Sequence, residues 1–197
     1  MAYDSILLAS ASERRSRLLA QIGVRHRVRA MEIDETPRDR EPPSAYVARL
    51  AAGKARAAVA AEGGGPGCPV LAADTTVVLD GSILGKPADE ADCVAMLGAL
   101  AGRRHEVLTA VAVWHDGRLG ESTGTSYVTF RAIDAAECRR YWATGEPAGK
   151  AGAYAIQGLG AVFVRHLEGS FSNVMGLPLF ETAALLDAAG VHRWQNP

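Results

Sequence analysis

Apolar residues along this chain follow two rhythms, and each predicts its own kind of element. Short continuous apolar runs predict buried strands at residues 5–9 (SILLA), 107–114 and 161–167. Alternating positions predict strands at 25–33 and 127–131, with a Gly-rich hairpin region before the second. Helical spacing appears at 14–22, where Leu18, Leu19 and Ile22 share a face, Ser12 can cap the start and Gly23 can stop the end. A longer stripe of Tyr46, Val47, Leu50, Ala51, Ala55, Ala58 and Val59 predicts a helix that opens at Ser44. Further helices are expected at 89–100, with acids in its first turn, at 134–144, and at 177–189 with Pro178 near its start.

Residues 70–87, VLAADTTVVLDGSILGKP, carry the most information. Two apolar runs flank Asp80-Gly81, a hairpin signal, and the second leads into Gly85-Lys86-Pro87. Asp74 interrupts the first run. An Asp here can simply be solvated at a strand edge; strands disfavour Asp, however, and a lone charge among Val, Leu and Ala is costly, which points to a metal ion or a basic ligand clamp nearby.

Other stretches suggest chemistry with less force. Residues 5–22 read as a strand running through a small-residue turn into a helix N-terminus, an arrangement that leaves backbone N–H groups and a helix dipole facing an anion. Arg14 and Arg15 sit in that first turn, where cations are disfavoured unless an anion is close. Asp34-Glu35 can ligate a cation or can be ordinary loop charge. Lys54 borders the apolar stripe of its helix, so it either reaches into a cleft or snorkels to solvent. The stretch 63–67, GGGPG, is a connector and no phosphate loop, because no Gly-Lys-Ser/Thr follows. Residues 149–160, GKAGAYAIQGLG, hold four glycines beside Lys150, Tyr154 and Gln157, a density that permits close backbone approach to a ligand or simply serves turns.

Composition narrows the classes. With 197 residues, 48% hydrophobic and 22% charged, the chain can build a sizeable core as one domain over 1–197. Twenty-one basic against 22 acidic residues leave a net charge of −1, which argues against a nucleic-acid partner held by bulk electrostatics. Any polyanion should be small and locally held. Cys68, Cys93 and Cys138 match no zinc or redox spacing and cannot all pair, so a reducing cytoplasm is expected. The first apolar run is too short for an export signal, and its basic residues follow it; no window approaches the roughly 20 apolar residues of a membrane span. The five histidines are scattered without ligand spacing.

Several separated stretches together resemble the Maf family of nucleoside triphosphate pyrophosphatases: LASASERRSRLL at 8–19, Asp34-Glu35-Thr36, the lysine of LAAGKA, Ala73-Asp74-Thr75 with Leu84-Gly85-Lys86-Pro87, His105-Glu106-Val107 with Thr109-Ala110-Val111, GKAGAY at 149–154 and NVMGLP at 173–178. They span nearly the whole chain in the family's order. The resemblance implies an α/β fold with a long twisted mixed sheet flanked by helices, and two lobes with a central cleft. It implies cleavage of a nucleoside triphosphate between its α and β phosphates with Mg²⁺ or Mn²⁺, and a homodimer. Carried onto this sequence, Ser10, Arg14, Arg15, Lys54 and Lys86 would hold the phosphates. Asp74 would act as general base or metal-bound activator of water and Glu35 as metal ligand, two roles that could be exchanged.

Within that family one branch acts on dTTP and UTP and another on 7-methyl-GTP. The choice follows three positions, here Arg14, Thr75 and Gln157, which resemble the dTTP/UTP branch; the other tends to Trp, Gln and Glu. At Gln157 the chemistry agrees, since a carboxamide offers both the donor and the acceptor that uracil or thymine needs, whereas guanine's adjacent N–H donors suit a carboxylate. The expected function is hydrolysis of dTTP and UTP, with modified pyrimidine triphosphates as a further class. The alternatives are a 7-methyl-GTP pyrophosphatase and a noncatalytic nucleotide-binding regulator of cell division.

Overall fold

The computed structural model describes residues 2–63 and 67–195. The middle of the expected GGGPG connector and the last two residues of the tail lie outside the described residues. The protein is α/β, built on one seven-stranded mixed sheet. Its strands are β1 (Ile6–Leu8), β2 (His26–Val28), β3 (Val70–Leu79), β4 (Ser82–Leu84), β5 (Arg104–His115), β6 (Arg118–Phe130) and β7 (Val164–Glu168). The order is β2-β1-β3-β5-β6-β7, with β4 folded back on β3. The strands β1 and β2 run parallel, as do β1 and β3, while β3 to β7 form antiparallel ladders.

Two Asp-Gly turns set the register of the long strands. Asp80-Gly81 and Asp116-Gly117 all have positive φ, which matches the right-handed twist of a two-residue hairpin. The second turn lets β5 and β6 pair without a break from His115↔Arg118 to Arg104↔Thr129.

Among the described residues six α-helices cover the sheet: α1 (Glu13–Gln21), α2 (Pro43–Ala61), α3 (Glu90–Leu100), α4 (Ala135–Trp142), α5 (Phe171–Met175) and α6 (Leu179–Ala188). Asp89, Asp134 and Ser170 cap α3, α4 and α5 through their side chains, each accepting a backbone N–H three residues on. Ser12 occupies the N-cap of α1 as expected, without a side-chain bond. The helix α2 starts one residue earlier than expected, on Pro43, whose fixed φ suits a first helical position.

Side-chain alternation along β3 divides the core. Val70 and Ala72 face α2, with Leu108, Ala110 and Ala112 from β5 and Ala51, Ala55 and Ala58 from the helix. Leu71 and Ala73 face the other way onto Leu18 and Leu19 of α1 and Leu186 of α6. Further along that same face, Val77 and Leu79 pack with α3 and α4 around Leu97, Leu100, Tyr141, Phe130 and Phe163. Each fully buried Leu there contributes about 1.5–3 kcal/mol. Between these last two clusters stand Thr75 and Thr109, opposite each other on β3 and β5. The core therefore has a polar seam, and the seam lies under the cleft.

Several expectations need correction. The strand expected over 25–33 pairs only through His26–Val28, because β1 offers just three partners. The chain beyond it runs without regular structure to α2 and delivers Glu35 to the cleft. The strand expected at 161–167 begins at Val164; residues Leu159–Phe163 form a 3-10 turn instead. The Gly-rich region before residue 127 is mostly strand: Gly124 lies where a Cβ would sit 2.7 Å from Asn173 Oδ1, so it serves close packing with α5. The five-residue α5 has no counterpart in the sequence reading.

Candidate active site

On one side β3 is paired with β5 over Val70–Val78. On the other side it pairs with β1 only at Val70 and Leu71 and with β4 only from Val77. Residues 72–76 carry no strand partner there, and a cleft of about 540 Å³ opens at this gap. Its walls include the β1–α1 turn, the chain around Glu35, α2, the loop after β4 and the segment 148–157. The sequence brings Ser10, Arg14, Arg15, Glu35, Lys54, Asp74, Thr75, Lys86 and Gln157 together here, and every one of them lines the cleft.

Asp74 is 8% exposed. Its Oδ1 accepts from Lys54 Nζ at 2.7 Å, and the same ammonium lies 2.6 Å from Glu35 Oε1. Lys54 thus bridges the two carboxylates, which answers the cost of burying Asp74 in a strand. Its position on α2 reaches inward rather than snorkelling outward, with the side chain 12% exposed. Lys86 Nζ stands 3.8 Å from Glu35 Oε2. Burial pushes the Glu35 carboxyl up, but the bond and charge of Lys54, with Lys86 and Arg15 behind, outweigh it and hold the group below its ordinary value.

Arg15 spends its guanidinium on three partners. Nε donates to Gly176 O at 2.7 Å, Nη1 to Ser10 Oγ at 3.1 Å and Nη2 to Thr75 Oγ1 at 3.0 Å. Thr75 Oγ1 lies 2.9 Å from Thr109 Oγ1, which in turn donates to Asn173 O at 2.8 Å. Since the single Thr109 proton goes to that carbonyl, Thr75 must donate to Thr109, and the chain from Arg15 to α5 runs in one direction. Arg14 Nε donates to Met175 O at 3.3 Å, and its other guanidinium nitrogens have no hydrogen bond among the described residues. Two arginines thereby meet the C-terminal end of α5, where carbonyls welcome cations.

Lys150, from the glycine-rich stretch, lies in the same cleft and joins its cations. Its signal was the run GKAGAY itself, a lysine between glycines. Burial lowers the Arg14, Arg15 and Lys150 values, and for Lys150 the charge of Arg14 lowers it further. Burial outweighs the nearby carboxylates, Asp74 and Glu35 for Arg15 and Glu146 for Arg14 and Lys150, and an anion bound among the three cations would add to that compensation. The segment is held in place by Gly152, which has φ +66, donates its N–H to Gly85 O and leaves no room for a Cβ beside Val77. Gln157 is exposed at the cleft and makes no side-chain hydrogen bond among the described residues.

Among the described residues no group of three or more His, Cys, Asp and Glu side chains forms a metal cage. Glu35 and Asp74 alone fit a different kind of site, in which one or two carboxylates share a hard divalent ion with substrate phosphates and water. Lys54 occupies only one oxygen of each, and of the second oxygens Glu35 Oε2 faces Lys86 at 3.8 Å. Among the described residues no helix is long and apolar enough to cross a membrane.

An α/β protein with a cationic cleft at a break in its sheet, and paired carboxylates on the floor, is built to bind and work on a small polyanion. Comparison with known proteins gives it a family: a model described as Maf-like protein matches residues 5–189, and the chain belongs to the Maf family. It is 51% identical over 194 residues to a dTTP/UTP pyrophosphatase of Bordetella avium, covering 94% of this chain and 96% of that protein. A dTTP/UTP pyrophosphatase of Saccharophagus degradans is 52% identical over 192 residues, covering 97% and 91%.

Proposed function

We propose that this protein is a nucleoside triphosphate pyrophosphatase that hydrolyses dTTP and UTP to the monophosphate and pyrophosphate. The observation that carries this reading is the convergence of Arg14, Arg15, Lys54, Lys86 and Gln157 on the one cleft whose floor holds Asp74. Curated relatives at about half identity over nearly the full chain bear that name, which supports the same choice.

In this reading Ser10, the backbone at the start of α1 and the cationic side chains hold the three phosphates. Arg15, fixed by Gly176, Ser10 and Thr75, has a preset orientation, so little reorganisation accompanies binding. Asp74 Oδ2, the oxygen not engaged by Lys54, takes a proton from the attacking water as its oxygen bonds to the α-phosphorus. The bond to the bridging oxygen breaks, and pyrophosphate leaves with that oxygen. Glu35 would hold Mg²⁺ or Mn²⁺, which when bound neutralises phosphate charge and polarises the reacting groups. Gln157 pairs with the edge of uracil or thymine through its donor and acceptor. The homodimer and the cytoplasmic setting follow from family likeness, and sizing chromatography tests the first.

Incubating the purified protein with Mg²⁺ and a panel of triphosphates, and following pyrophosphate release, tests the assignment. Release from dTTP and UTP ahead of the other substrates is the expected result. Absence of release from every triphosphate, or preference for 7-methyl-GTP, overturns it.

A further inference from the structure

The group that fixes the base-reading loop lies outside the sequence-predicted site. Glu146 follows α4, and its carboxylate accepts three hydrogen bonds: Tyr141 Oη at 2.7 Å, Leu159 N at 2.9 Å and Gly160 N at 2.9 Å. Tyr141 Oη in turn accepts from Ala155 N at 3.2 Å. One Tyr–Glu unit therefore pins the backbone on both sides of Gln157, while the Gln157 amide has no hydrogen-bond partner among the described residues. The packing leaves no slack. A Cβ on Gly158 would fall 2.1 Å from Glu146 Oε2, and one on Gly160 would fall 2.6 Å from Tyr141 Oη.

We infer that Glu146, with Tyr141, is a positioning residue for base selection: it acts through the 155–160 backbone to present the Gln157 amide at a set distance and angle. This rests on the reading of Gln157 as the base-contacting group. The carboxylate does not line the cleft, and three of its roughly four acceptor sites are taken by two backbone N–H groups and a phenol. A glutamine at 146 is nearly isosteric but must turn an NH₂ toward one of those donors, so it breaks the pin without emptying the site.

The test compares kcat/KM for dTTP and dGTP in wild type, E146Q, Y141F, Q157A and the double variant E146Q/Q157A, with thermal melts and inhibition by inorganic triphosphate as controls. If Glu146 acts through Gln157, E146Q lowers the dTTP-over-dGTP preference about tenfold. The double variant then shows a preference no lower than Q157A alone, the non-additivity expected of one shared pathway. Y141F moves the same way by a smaller factor, and inhibition by inorganic triphosphate stays within about threefold. An E146Q protein that melts cooperatively and keeps wild-type preference overturns the inference, as does a double variant that loses the product of the two single effects. Should E146Q fail to fold, Y141F with undiminished preference overturns it. Wild-type preference retained in Q157A would instead strike the reading of Gln157, and the inference with it.

Discussion

Arg15→Lys is the substitution whose cost can be counted atom by atom. The guanidinium donates to Gly176 O, Ser10 Oγ and Thr75 Oγ1 from three different nitrogens, a fork that a single ammonium cannot reproduce. Lysine keeps the charge and one of the three contacts. Hydrogen bonds to charged groups contribute about 1.5–3 kcal/mol each, so two lost bonds set an upper range of about 3–6 kcal/mol. Water reaching the open cleft restores part of this, and about 3 kcal/mol is the expected loss. For a chain of this length each kcal/mol lowers Tm by about 2–4 °C, which gives a drop of about 6–12 °C. The same variant weakens the donor to Thr75 Oγ1, the first link of the chain that runs through Thr109 to the Asn173 carbonyl, so pyrophosphate release should fall as well. Thermal unfolding and steady-state kinetics on one preparation check both. A Tm within about 1 °C of wild type would show that the three contacts are not what holds α1, β3 and α5 together, and the account of a preset guanidinium would fail.

Other expectations follow from the same geometry. Asp74→Asn keeps an acceptor for Lys54 but no base, so turnover should fall about 10²–10⁴-fold with little change in melting; activity within tenfold of wild type excludes Asp74 as the base. Gly152→Ala combines φ +66 with a Cβ 2.8 Å from Val77 Cγ2, and should cost about 2–4 kcal/mol, read from denaturant midpoints. His105 is buried, donates to or accepts from Tyr154 Oη at 2.9 Å, and burial pushes its value down from 6.5 to about 4. Between pH 6.5 and 4 the unfolded chain therefore binds a proton that the folded protein refuses. Stability should fall with acidity by about 3 kcal/mol across that window and level off below it, and this part of the slope should vanish in His105→Gln.

The residues at the site were more legible in the sequence than the elements that carry them. Asp74 announced itself because a carboxylate in an apolar strand needs a cation, and Lys54 is that cation. Arg14 and Arg15 were equally visible, as cations at the wrong end of a helix. Their compensation, however, is the far end of α5, about 160 positions away in the chain, and no local pattern predicts such a meeting. Lengths of β2, β5 and β6 were misjudged for a related reason. A strand extends as far as its neighbour offers partners, so β2 stops with β1, and β6 continues through Gly120 and Gly124 because β5 accompanies it. Those glycines read as turn signals, yet the packing of Leu185 and Asn173 against them explains their size. Glu146 gave no signal at all, since a lone acid after a helix looks like any surface charge.

The break in β3's pairing has a consequence for how the protein survives in a crowded solution. An unpaired strand border invites sheet-to-sheet joining with other molecules and, in the extreme, fibre growth. Here only positions 72–76 are bare, bracketed by β1 and β4 at either end. An intruding strand would find about two ladder rungs before colliding with its neighbours, and would meet Lys54, Arg15 and Lys86 as it entered. The notch is short enough to suit a compact ligand better than an extended chain.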